Sequence, residues 1–193
     1  MGLRAIVEHY KKVHRPRAKV ELAWFRGQPD LKTAVDTAAR AINSQGKRYS
    51  HQCRISKKAM PAAIKALRGV AEELDKVGSF DELLQKIEML VGHIDGIGDL
   101  YVYDTALRIG FFRKLAPRLV YLHAGTRVGA RRLGLTTHRR LHLEVADVLA
   151  VAPEFQELTA GEIEDVLCIY KNTLKDQKAG TAAFEPPGES WCC

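Results

Sequence analysis

Residues 79–110 read SFDELLQKIEMLVGHIDGIGDLYVYDTALRIG, and this stretch decides the fold class. Ser79 with Glu82 three residues on is a capping box, in which each side chain satisfies a backbone N–H at the start of a helix. The helix it opens is expected to run to about Val91. Gly92, Gly96 and Gly98 punctuate a short connection. A second helix is then expected over roughly 100–114, broken ahead of Pro117.

Helical signals continue on both sides. Upstream, residues 60–77 place Ile64, Leu67, Val70, Ala71 and Leu74 at helical spacing, with Pro61 in the first turn and Gly78 as the stop. Residues 31–43 do the same with Ala34, Val35, Ala38, Ala39 and Ile42, with Asp30 as N-cap. Between them, 47–58 reads KRYSHQCRISKK, a polar loop with room for one short extended piece. Residues 3–13 form a helix that Pro16 is expected to interrupt, and 20–25 fits a short strand or helix. Downstream, helices are expected at 118–123, at 127–133 with Thr126 as cap and Gly134 as stop, and at 141–150. The alternation of Leu141, Leu143 and Val145 leaves a strand open there. Thr159 with Glu162 is a second capping box, opening a helix to about Leu174. The expectation is an all-α fold: one helical domain over 1–175, with at most a short strand or hairpin. Residues 176–193, rich in Gly, Pro and Glu, are expected to be a flexible tail or clamped onto a partner.

The 193 residues suffice for a real core, and an apolar fraction of 46% argues against disorder. No window approaches the roughly 18 apolar residues of a membrane span. Residues 1–17 alternate apolar and charged residues and lack a signal-peptide core. Cys53 and Cys168 are isolated, Cys192 and Cys193 are adjacent, and no CxxC pair suggests zinc or redox chemistry. Isolated thiols fit a reducing cytoplasm, which is the expected location.

Charge is divided in blocks. Residues 1–70 carry 16 Lys/Arg against 4 Asp/Glu, and residues 71–110 carry 3 against 9. Residues 111–143 carry 8 against none, and residues 144–193 carry 3 against 10. Two basic segments on one face would attract a polyanion. Alternatively, basic and acidic blocks neutralise each other within the fold or across a dimer.

Gly96-Ile97-Gly98 between two helices resembles the core of the helix-hairpin-helix motif, over about 83–110. In such proteins glycines turn the chain tightly, and free amides at the start of the second helix hold a phosphate oxygen. The resemblance implies backbone recognition of DNA at Gly96 and Gly98. The chain departs from the pattern at Val102, where a small residue is usual, and at Asp99, which as an N-cap would compete with phosphate. Residues 103–109, YDTALRI, resemble the Asp-Thr segment of the helix-hairpin-helix DNA glycosylases, which would make Asp104 a catalytic carboxylate. That segment follows Gly98 too closely for the family spacing, and neither the family's lysine nor its iron–sulfur cysteines are present. The alternative for Asp104 is a pair with Arg108 at i+4.

Residues 121–134, YLHAGTRVGARRLG, repeat the helix, small-residue turn, helix pattern. Arg127 and Arg131 share a face one turn apart, Arg132 adjoins them, and arginine grips phosphate bidentately. Glycines 125, 129 and 134 permit close approach, either to a ligand or to a packed helix. The anion-binding residues expected are therefore Arg127, Arg131 and Arg132, then Gly96 and Gly98, with Lys47, Arg48, Arg54, Lys57 and Lys58 of the polar loop. His138 and His142 stand at i, i+4 without an evident third ligand, so no metal and no cofactor is expected. Some of the aromatics near the hairpin, such as Tyr101 and Phe111, would stack on bases if exposed. The leading function is nucleic-acid backbone binding, DNA before RNA. The alternatives are a non-enzymatic subunit that docks partner proteins through its acidic segments and tail, and a compact glycosylase-like enzyme.

Overall fold

The computed structural model describes residues 2–174. The expected tail at 176–193 lies outside them. Helix α1 (Leu3–His9) passes through one π turn (Tyr10–His14) into α2 (Arg15–Arg26). Pro16 therefore does not interrupt the helix, and 20–25 is helical. A proline has no N–H to donate and crowds the carbonyl four residues back, and the wider π turn just before it accommodates both defects.

Asp30 caps α3 (Leu31–Ala39), accepting from the Thr33 N–H at 2.7 Å. The helix stops short of the expected Asn43 because Ala41 turns left-handed at φ 54°. The single helix expected over 60–77 is two, α4 (Ala59–Arg68) and α5 (Ala71–Leu74), because Val70 leaves helical geometry after Gly69. Then come α6 (Phe80–Val91) and α7 (Asp99–Arg113), joined by the glycine-rich turn. Ser79 accepts from the Glu82 N–H as expected, but the Glu82 carboxylate takes the N–H of Gly78 rather than that of Ser79.

The expected helix at 118–123 is instead strand β1 (Val120–Tyr121). It pairs antiparallel with β2 (His142–Leu143), Val120 opposite Leu143. β-branched and aromatic side chains suit this pleated, half-buried surface. Helix α8 (Ala124–Leu133) starts at the N-cap His123, so Thr126 lies inside its first turn and is not the cap. Residues 141–150 hold both expected alternatives, β2 and then α9 (Val145–Val151). A complete capping box of Thr159 and Glu162 opens α10 (Ala160–Ile169). Among the described residues the fold is all-α apart from the two-stranded ribbon.

The described residues gather into two compact units, residues 2–17 with 118–174, and residues 18–117. In the first, Ile6, Val7 and Tyr10 share a core with Val120, Leu122, Phe155, Ile163 and Leu167, and α8 lies on α10. Arg15 grips the capping carboxylate of Glu162 with Nε at 2.6 Å and a second guanidinium nitrogen at 3.1 Å. In the second unit α3, α4, α6 and α7 pack around Val35, Leu67, Leu83, Ile87 and Ile109, all fully buried. No helix among the described residues is long and apolar enough to cross a membrane.

Candidate nucleic-acid interface

The hairpin is built as its glycines require. Gly96 holds φ +87°, a left-handed value that costs glycine little. Gly98 is extended and is the N-cap of α7, so Asp99 is the first helical residue and not the cap. Gly98 offers no side-chain oxygen to the first amides of α7, and its carbonyl accepts from Tyr101 and Val102. Ile97 is buried beneath the turn, while Asp95, Gly96, Gly98 and Asp99 are exposed. The tip thus presents backbone, together with two carboxylates that repel a phosphate.

The polar loop lies in the same unit and beside the hairpin. A Cβ placed on Gly96 would stand 3.6 Å from the Ala59 Cβ and 3.9 Å from Ser56 Oγ. Ser56 Oγ in turn accepts from the Ala59 N–H at 3.0 Å, at the start of α4. Asn43 Oδ1 ties the loop's other end by accepting from the amides of Gln45 and Lys47. Residues 47–58 form turns, a bridge from Arg48 to Ile42 and a short 3-10 turn at Ser50–Gln52. Lys47, Arg48, Arg54, Lys57 and Lys58 are all exposed, and among the described residues none of the five belongs to an ion pair. Elsewhere the neutralisation foreseen from the charge blocks does occur. Lys32 pairs with Glu72 and Arg113 with Asp75, and in the other unit Lys11 pairs with Glu157 and Arg15 with Glu162.

Asp104 fastens this loop to α7. Its Oδ2 lies 2.7 Å from His51 Nε2 and accepts from Gln52 Nε2 at 2.5 Å and from Arg108 at 3.0 Å. The i+4 pair with Arg108 is realised, and the carboxylate holds two loop residues as well. Arg108 also donates to Gln52 Oε1, and its guanidinium lies 4.1 Å over the Tyr49 ring. Tyr49 donates to Glu21 of α2 at 2.8 Å, and burial pushes its hydroxyl pKa well up. Tyr101 donates to the Ala39 carbonyl, and burial pushes it up to about 12. Tyr101 and Tyr103 are core residues and offer no stacking face, while Phe111 is half-buried.

The arginines of α8 lie in the other unit. Arg127 donates to the Thr137 carbonyl at 2.9 Å. Arg132 donates to the carbonyl of Lys171 and to Asn172 Oδ1. Arg131 is exposed. Two of the three guanidiniums expected to grip phosphate therefore already hold backbone carbonyls.

Sequence reasoning missed a buried polar cluster in that same unit. His123, at the start of α8, hydrogen-bonds through Nε2 to Glu164 on α10. Thr126 Oγ1 donates to the same carboxylate oxygen at 2.7 Å and lies 2.8 Å from His123 Nε2. Cys168 stands one turn beyond Glu164, and the ligand atoms of His123, Glu164 and Cys168 lie within 4.8 Å of one another. Cys168 is disulfide-bonded, which corrects its reading as an isolated thiol, whereas Cys53 is free and exposed. The overlooked signal was Glu164 itself, a carboxylate on the apolar stripe of Ala160, Ile163 and Leu167. His138 and His142 are not on a helix, so their i, i+4 spacing does not bring them onto one face.

No protein-family model, no curated protein and no solved structure matches this chain.

Proposed function

We propose that this chain binds a nucleic-acid backbone, DNA in the first place, through the loop at 47–58 and the adjoining hairpin at 96–98. The observation that carries the reading is the set of five exposed cations without ion-pair partners on a loop clamped beside the hairpin. Cations left unpaired on a positioned loop attract phosphate at little ordering cost, and hairpin amides add neutral donors. Asp95 and Asp99 at the tip oppose close approach there, so the lysines and arginines dominate. Asp104 serves as the clamp, its Oδ2 bound by three neighbours, and the reading assigns it no reacting role.

The test is binding of duplex DNA, single-stranded DNA and RNA as a function of salt. Wild-type affinity should fall steeply with ionic strength. Lys57→Ala/Lys58→Ala should lower the log–log slope by about 0.9 for each duplex phosphate that the two lysines neutralise in the wild type. Arg131→Ala should leave the slope unchanged. Undetectable binding at low salt would remove the proposal, and an unchanged slope in the lysine variant with a lowered one in Arg131→Ala would move the site to α8.

A further inference from the structure

His123, Glu164 and Cys168 take no part in the proposed binding surface, and all are at least nine-tenths buried, at 3%, 4% and 1% exposure. A carboxylate and an imidazole placed that deep are costly unless they are held together by more than a single contact. Here Glu164 and Cys168, at i and i+4, project from one face of α10 toward His123 at the start of α8, and Thr126 steadies the carboxylate. The geometry is also protected on the sulfur side. A Cβ on Gly125 would lie 2.5 Å from the Cys168 Sγ, so only glycine leaves the sulfur its place.

We propose that reduction of the disulfide at Cys168 converts this cluster into a buried zinc site, with His123 Nε2, a Glu164 carboxylate oxygen and the Cys168 thiolate as ligands. Zinc takes this mixture of N, O and S donors, and a tetrahedral site at ordinary bond lengths sets its ligand atoms roughly 3.4 Å apart. Ligand atoms already within 4.8 Å of one another reach that spacing by small side-chain movements. The charge also balances. One thiolate, one carboxylate and a neutral imidazole around a divalent ion sum to zero, which suits a buried place. A dithiol serves as the reductant. It supplies two electrons and becomes a cyclic disulfide, the Cys168 S–S bond breaks to give two thiols, and the Cys168 thiol loses its proton to solvent as the Zn–S bond forms. With Thr126 as the outer partner of Glu164, the three protein ligands join α8 to α10 and leave the fourth tetrahedral position to a water molecule.

The test uses the full chain and cobalt(II) as a spectroscopic stand-in for zinc. Protein is reduced with a dithiol and desalted under nitrogen, and cobalt is titrated in. Reduced wild type should bind one cobalt per chain, with sulfur-to-cobalt charge transfer in the near ultraviolet and tetrahedral visible bands, and zinc should displace it. Oxidised wild type should show neither. In Cys53→Ser/Cys192→Ser/Cys193→Ser, Cys168 has no cysteine to pair with, so the variant should bind cobalt without reductant. Glu164→Gln and His123→Gln should abolish the tetrahedral bands, and Thr126→Val should weaken binding about tenfold. A folded triple-serine variant that binds no cobalt would overturn the proposal. If that variant does not fold, charge transfer that persists in reduced Cys168→Ser overturns it instead, and its loss there supports it.

Discussion

The helix backbones of α8 and α10 meet at Gly129 and Leu167: a Cβ on Gly129 would fall 2.0 Å from the Leu167 carbonyl oxygen. The neighbour is backbone in the last turn of α10, not the end of a flexible side chain that could swing aside. Gly129→Ala should therefore force the two helices apart and destabilise the unit by about 1–3 kcal/mol or more, the usual scale for overpacking. Urea unfolding read by circular dichroism measures it. An unchanged midpoint would mean the helices do not approach as described. The glycine spacing at 125, 129 and 134 thus serves helix packing at 129, a close sulfur at 125 and a left-handed helix end at 134, where φ is +92°.

Asp104 and Arg108 should behave as a clamp. Arg108 is 5% exposed, so Asp104→Ala leaves a buried guanidinium without its carboxylate. Breaking a buried pair from one side typically costs about 3–5 kcal/mol. Asp104→Asn keeps the shape and should cost less. Both should speed amide exchange at 49–53, because His51 and Gln52 lose their anchor. Exchange confined to its wild-type rate in both variants would exclude the clamp.

Much of this was legible in local pattern, and what was not has physical reasons. The Thr159–Glu162 capping box is a contact within one turn, and the sequence pattern predicts it as it forms. Thr159→Ala should accordingly cost about 1 kcal/mol, visible as a lowered unfolding midpoint. The buried stripe of α3 was likewise readable, with Ala34, Val35, Ala38 and Ala39 all fully buried. Pro16 misled because the remedy, a π turn, is set by backbone hydrogen bonding and leaves no side-chain signature. Val120 and Tyr121 misled because strand pairing is decided by a partner more than twenty residues away at His142 and Leu143. The two basic segments were legible as charge. The engagement of Arg127 and Arg132 with backbone carbonyls was not, because it depends on where the turn at 137 and the end of α10 fall.

His14 of the π turn and His9 at the end of α1 should make stability fall on mild acidification. His14 is buried, stacked on Tyr10 with centroids 6.2 Å apart and edge-on to Tyr170 at 5.8 Å. Burial holds its pKa below the ordinary value, and the nearby His9 and Arg17 push the same way. His9 is also held low, by burial and by Lys12. In the unfolded chain both titrate near about 6.5. As pH falls through that value the unfolded chain takes up protons that the folded chain refuses, so stability declines until the folded pKa values are passed. Above that range the two states bind equally few protons on these residues and the contribution is flat. Urea midpoints at pH 7.5 and 5.5 should differ in wild type, and the difference should shrink in His14→Gln. An equal difference in the variant would assign the pH dependence elsewhere.

Arg127 and Arg131 lie one turn apart on α8, yet their removal should have opposite signatures. Arg127 supplies a charged hydrogen bond to the carbonyl of the buried residue Thr137. Deleting it leaves that carbonyl without this donor, a loss on the scale of about 1.5–3 kcal/mol for a bond to a charged group. Arg131 is exposed and anchors nothing described, so Arg131→Ala should stay within about 0.5 kcal/mol of wild type. The contrast governs how any binding experiment on this helix is read. A loss of affinity in Arg127→Ala that tracks a lowered unfolding midpoint reports the fold, whereas a loss in Arg131→Ala at unchanged midpoint reports contact with the ligand. Equal destabilisation by the two substitutions would show that the Thr137 carbonyl is not what Arg127 holds.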